Sequence, residues 1–142
     1  MKIPDLTRRE SFSHWTAVTI RFSDQDSLGH VNNVAIAAYV EAARTALIYE
    51  LIRRGGVEGL EFILARVCID FLRELHYPGT VEVGSRLVRL GNKSITTGYG
   101  VFVGNDCVAT SECVNVFFDL ATRRTVEPPA SLRALLEAAL EE

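Results

Sequence analysis

Residues Asn33 to Arg53 read NVAIAAYVEAARTALIYELIR, with neither Pro nor Gly among them. Alanine, leucine and glutamate favour helix, so the stretch is predicted to form one long helix. Asn32 or Asn33 is the natural N-cap, since either side chain accepts a hydrogen bond from a free amide of the first turn. Gly55 and Gly56 stop the helix, and Arg53 and Arg54 sit favourably at its negative end. The first half, from Val34 to Ala43, is apolar almost all round, which predicts burial on several sides. Its many alanines imply that another backbone packs close to it.

Upstream, Trp15 to Phe22 alternates. Val18, Ile20 and Phe22 fall on one face, with Thr19 and Arg21 between them, which is a strand pattern. Downstream, four strand candidates follow. From Ile63 to Leu75 the odd positions are mostly apolar, while Arg66, Asp70 and Glu74 occupy even ones, so one face is expected to be buried. Val81 to Leu90 follows a Pro78-Gly79 turn. Ser94 to Val103 and Cys107 to Phe118 form a hairpin about Gly104-Asn105. Pro128-Pro129 introduces a short helix from Ser131 to Leu140, capped by Ser131. Strands joined by short turns pair antiparallel. The predicted architecture is α+β, with a strongly curved five-stranded antiparallel sheet wrapped around one helix. Uncovered edges and an outer face in such a layout predict self-association.

The chain has 142 residues, which predicts a single domain over 1–142. Lys plus Arg is 15 and Asp plus Glu is 18, so the net charge of −3 excludes the basic footprint of a nucleic-acid binder. The first ten residues hold no apolar run of a secretory signal, and no stretch is apolar enough for a membrane span. Cys68, Cys107 and Cys113 are odd in number and form no Cys-x-x-Cys pair. Buried, reduced thiols in a cytoplasmic protein are expected.

The chemistry concentrates between the first strand and the helix. Asp24, Asp26, His30, Asn32 and Asn33 fall together there. A helix start offers free amide N–H groups and the positive end of the dipole, which can hold a developing oxyanion. A carboxylate beside it can attack an acyl carbon or activate water. Asp26 also suits a plain Asx turn, Asp24 a structural role bonding loop amides, and His30 an ordinary loop position. Asn32 and Asn33 serve as caps that would also fix the oxyanion amides.

The run Asp24-x-Asp26-x-x-Gly29-His30-Val31-Asn32-Asn33, followed by Tyr39-Val40-Glu41-Ala42-Ala43-Arg44, resembles the hot-dog-fold acyl-CoA thioesterases of the 4-hydroxybenzoyl-CoA thioesterase type. The inferred element order matches that fold along nearly the whole chain. The resemblance implies that Asp26 is the catalytic carboxylate and that an amide near Asn33 polarises the thioester carbonyl. It implies homodimers or homotetramers (dimers of dimers) with sites at the dimer interface. It also implies no metal and no bound cofactor, coenzyme A being part of the substrate. The His30-Val31-Asn32-Asn33 form looks more like fatty-acyl and acyl carrier protein thioesterases than the hydroxybenzoyl branch, which makes His30 a positioning or acid–base residue. Gly29, Val31 and Asn32 then belong to the substrate site, with the Val31 to Asn33 amides facing the oxyanion.

Other residues remain. Lys93 and Ser94, in a turn near Arg86 and Arg89, suit the phosphates of a coenzyme A tail, or form an ordinary solvated turn. Glu41 pairs with Arg44 or Thr45 at helical spacing, and the resemblance, since some hot-dog thioesterases use a helix carboxylate, keeps it as a reserve candidate. Glu112 falls in register with valines, and His14 and His76 show no partner. No Gly-x-Ser-x-Gly elbow exists, and Gly98-x-Gly100 lacks the third glycine of a dinucleotide loop. Two alternatives compete with hydrolysis by Asp26: a non-catalytic acyl-CoA-binding protein, and a metal hydrolase using Asp24, Asp26 and His30. One loop rarely supplies a whole metal site, which disfavours the latter.

Overall fold

The long helix forms where its sequence places it. In the computed structural model, which describes residues 3–141, α1 runs Asn33–Arg54. Asn32 is the cap, and its side-chain oxygen accepts the Ala35 N–H at 2.7 Å. Strand β1 (His14–Thr19) precedes α1, and β2 (Leu60–Phe71), β3 (Thr80–Leu90), β4 (Ser94–Val103) and β5 (Asp106–Asp119) follow it. A short strand β6 (Arg124–Thr125), not foreseen from the sequence, pairs with the end of β5, and helix α2 (Ala130–Leu140) comes last. The spatial order is β1-β3-β4-β5-β2, every neighbour antiparallel. The sheet curves around α1 in the hot-dog arrangement that the sequence predicts.

Packing against the sheet, rather than propensity alone, fixes α1. Ile36, Tyr39, Val40 and Ala43 meet Val81, Val83 and Val101 near the helix start. Leu47, Ile48 and Ile52 cluster with Leu87, Ile95 and Phe117, and Leu132 and Leu136 of α2 close that end.

Strand β4 is buried from Ile95 to Phe102, on both faces. The inner face meets the core, and the N-terminal segment lies across the outer one. Phe12 packs edge-on to Phe102 and Trp15, with ring centroids 6.1 and 5.8 Å away. Gly98 and Gly100 make this close approach possible. A Cβ on Gly100 would stand 2.5 Å from the Leu6 carbonyl oxygen. Gly100→Ala is therefore expected to cost about 1–3 kcal/mol through overpacking. A urea melt checks this, and an unchanged midpoint would show that the segment yields freely.

Several sequence expectations change. Strand β1 stops at Thr19, so Ile20 is buried but Phe22 enters a 3-10 turn (Phe22–Asp24) and is 74% exposed, resting on Tyr77. In β2 a bulge at Leu64/Arg66 interrupts the register. Leu64 stands opposite Asn115, then Val67 and Ile69 stand opposite Cys113 and Ser111, so the odd positions do not share one face. Moreover β2 is an edge strand, and Ile63, Val67 and Phe71 are exposed rather than buried. Helix α1 is covered on one side only, because the sheet wraps it from one side. Val34, Ala38, Glu41, Ala42 and Ala46 are exposed on the other. Pro129, not Ser131, occupies the N-cap of α2, and the Ser131 hydroxyl donates instead to the Gly55 carbonyl at 3.3 Å. All three thiols are free, but only Cys113 is buried: Cys107 is half-buried and Cys68 exposed. Among the described residues no helix is long and apolar enough to cross a membrane.

Candidate active site

Two aspartates with opposite surroundings organise the loop between β1 and α1. Asp24 is 2% exposed. Its Oδ2 accepts the Tyr39 hydroxyl at 2.6 Å and the Arg21 N–H at 2.9 Å. Its Oδ1 accepts the Arg21 guanidinium at 2.9 and 3.1 Å, and its carbonyl accepts the Asn32 N–H at 2.8 Å. Burial pushes the Asp24 carboxyl up, but the bonds from Tyr39 and Arg21 outweigh it and leave it below the ordinary value. Burial and the bond to Asp24 raise the Tyr39 hydroxyl well above its ordinary value. Asp24 is thus structural: it pins the loop to α1, through Arg21 and Tyr39 side chains as well as backbone.

Asp26 is exposed and closes a tight turn. Its N–H donates to the His30 carbonyl at 2.7 Å, and its carbonyl accepts the Gly29 N–H at 3.1 Å. Gly29 takes φ +82°, a left-handed conformation that favours glycine. The Asp26 Oδ1 accepts the N–H groups of Leu28 and His30 at 2.9 and 3.1 Å. Among the described residues no other residue donates to Oδ2. The His30 amide lowers the carboxyl most, slight burial opposes it, and the Leu28 amide lowers it further. The net shift is downward, so Asp26 is ionised at neutral pH.

At the helix start the amides divide. The Val31 N–H donates to the Leu75 carbonyl at 2.7 Å, and the Asn32 N–H is held by Asp24. Neither can meet an oxyanion, which corrects the expectation for those two. The Asn33 N–H, at the first helical position, has no intrahelical acceptor.

Asp26, His30 and Asn33 line one cleft of about 310 Å³, with Val31 and Ile36 beside them. Phe71, Leu72 and Glu74, at and beyond the end of β2, form the opposing wall. His30 Nε2 lies 3.4 Å from Glu74 Oε2, and His76 Nε2 lies 3.5 Å from the same oxygen. Sequence reasoning missed Glu74 and found no partner for His76. The available signal was their i, i+2 spacing, which turns both to one side of an extended backbone.

The remaining candidates lie elsewhere. Lys93 and Ser94 sit at the β3–β4 turn. Strand β3 leaves the loop end at Thr80, opposite Thr19, and reaches that turn after Leu90. At 3.3 Å per residue this is about 30 Å away, so within one chain they do not join Asp26. Glu41 pairs with Arg44 at 3.5 Å and does not line the cleft. Glu112 is exposed, opposite Gly98. The Asp24, Asp26 and His30 metal set fails, because Asp24 is buried and both its oxygens are engaged. A second cavity, about 340 Å³, lies by His14 and Glu50, which pair at 3.0 Å, and contains none of the loop residues.

A hot-dog sheet with an acidic loop at the start of its helix defines a class, and comparison with known proteins agrees. The profile of the thioesterase-like superfamily matches residues 20–136, and the chain belongs to that superfamily. It is similar to the PA5185 protein from Pseudomonas aeruginosa strain PAO1, with 30% identity, 97% of this chain and 96% of that one covered, and a TM-score of 0.79. It is also similar to a thioesterase from Thermus thermophilus solved in complex with coenzyme A and Zn, with 29% identity, 92% and 96% coverage and a TM-score of 0.78. YsmA of Bacillus subtilis (strain 168) is 29% identical over 105 residues, which is 70% of this chain and 71% of that protein.

Proposed function

We propose that the protein hydrolyses a thioester whose acyl group is carried by coenzyme A or by an acyl carrier protein. One observation carries the reading. Asp26 presents an ionised carboxylate with an oxygen that no other described residue claims, in the same cleft as the first-turn amide of Asn33. The thioester carbonyl accepts that N–H, where the positive helix end holds the developing oxyanion. Asp26 takes a proton from water as the water oxygen bonds to the acyl carbon. Collapse then breaks the C–S bond, and the proton passes to the leaving thiolate. Direct attack by the same carboxylate, giving an anhydride that water opens, uses the same placement. His30 orients water or substrate, Gly29 sets the turn, Asn32 caps the helix and Val31 lines the cleft. Coenzyme A enters only as part of the substrate. Superfamily membership supports this reading, as does the similar thioesterase that binds coenzyme A.

A second reading is acyl-CoA binding without turnover. The two amide bonds to Asp26 Oδ1 favour it, because they are those of a turn-forming aspartate. Incubation with acyl-CoA in ¹⁸O-labelled water separates the two. Hydrolysis puts the label into the free acid and releases coenzyme A. Bound, unlabelled acyl-CoA would sink the hydrolytic reading.

The active assembly is proposed to be a homodimer, alone or paired into a tetramer. The free edge of β2 exposes Ile63, Val67 and Phe71, and Phe71 also lines the cleft, so pairing there would bury apolar surface beside the site. Light scattering at micromolar concentration is expected to give a multiple of 15.7 kDa, and Val67→Glu to shift it toward the single-chain mass. A wild-type protein running at 15.7 kDa would contradict the assembly. A cytoplasmic location fits the three free thiols.

A further inference from the structure

We propose that His30, Glu74 and His76 form a site for a divalent transition ion of the zinc class at the mouth of the cleft. One ligand atom from each residue lies within 4.8 Å of the other two. A tetrahedral centre with bonds of about 2.0–2.2 Å sets its ligand atoms about 3.3–3.6 Å apart. Two of the three separations already meet this: His30 Nε2 and His76 Nε2 stand 3.4 and 3.5 Å from Glu74 Oε2. Two imidazoles and a carboxylate suit zinc, and three protein ligands leave a fourth position for water.

The orientation of His76 is a separate observation. Its Nδ1 faces the Gly29 carbonyl at 3.4 Å. A carbonyl only accepts, so Nδ1 carries the hydrogen, and in the neutral ring Nε2 bears the lone pair. Nε2 is then the ring atom turned toward Glu74 Oε2, at 3.5 Å, and the one His76 offers to a cation there. A backbone carbonyl fixing the far nitrogen of a ligating histidine is the usual support of such sites.

The ion would act as a clamp. His30 belongs to the turn that carries Asp26, whereas Glu74 and His76 follow the end of β2. One ion would tie the two walls of the cleft together. This is independent of whether the cleft hydrolyses thioesters.

Calorimetric titration of the chelator-treated protein with Zn²⁺, without substrate, tests the site. Cys68→Ser serves as the background, because that thiol is exposed. One ion per chain is expected, with a rise in melting temperature. His76→Ala and Glu74→Gln should each weaken binding by more than the roughly 10–100-fold that loss of a supporting contact costs. Metal-free melts of both variants, expected to match the background, show that each is folded. Absence of saturable binding, or binding that survives both substitutions, would overturn the proposal. The titration is read without substrate, so its failure and that of the hydrolytic reading are told apart.

Discussion

Asp26→Asn is expected to lower kcat on the best thioester about 10²–10⁴-fold, the usual worth of a positioned base. The melting midpoint should stay close to wild type. Asparagine keeps an oxygen where Asp26 Oδ1 accepts the Leu28 and His30 amides at 2.9 and 3.1 Å, so the turn survives. It loses the charge and the basic oxygen. The substitution therefore separates shaping the loop from acting on the substrate. Asp24 cannot take over, because it is buried and both its oxygens are bonded to Arg21 and Tyr39. The pH dependence follows from the His30 and Leu28 amides, which hold the Asp26 carboxyl below the ordinary 3.8. A lowered carboxyl stays ionised as the pH falls, so loss of kcat/KM through this group is expected only below about pH 4. Full activity in Asp26→Asn would remove it from the chemistry.

Asp24→Ala is expected to produce the largest loss of stability, roughly 2–4 kcal/mol. The deletion strips the Tyr39 hydroxyl of its acceptor, and an orphaned buried polar group costs about 1–3 kcal/mol. It also removes the acceptor for the Arg21 N–H that caps the 3-10 turn, worth about 1 kcal/mol. Tyr39→Phe removes only one donor and should cost less. The sign of the pH effect is fixed by the lowered folded-state value of Asp24. Its stabilisation is fully present above the unfolded value near 3.8, and is lost as the pH falls through the lower folded value. Urea melts of wild type and variant at pH 7 and near pH 3 check both statements. A variant with wild-type stability at pH 7 would show that the loop is held by other contacts.

What could be read from the chain was local. The asparagine pair, the alanine-rich run and the following glycines define α1 because capping and helix propensity act over a few residues. The turn from Asp26 to His30 was legible for the same reason: a glycine and a side-chain acceptor lie within hydrogen-bond reach along the backbone. The misses are long-range. Ile63, Val67 and Phe71 alternate like a half-buried strand, yet nothing in their order reveals that β2 lies at the sheet edge or that a bulge changes its phase. Lys93 and Ser94 have the chemistry of a phosphate site, but strand length carries them to the far end of the sheet. Val31 and Asn32 have amides in the right sequence position, and tertiary contacts with Leu75 and Asp24 occupy both. Glu74 and His76 meet His30 only because the chain leaving β2 passes the Asp26 turn.

The most direct test is thiol release from a panel of short, medium, long and aromatic acyl-CoAs, together with an acyl carrier protein thioester, with wild type and Asp26→Asn side by side. The account predicts turnover of at least one substrate by wild type and its loss in the variant. Tight binding by wild type with no thiol released from any member of the panel would contradict it.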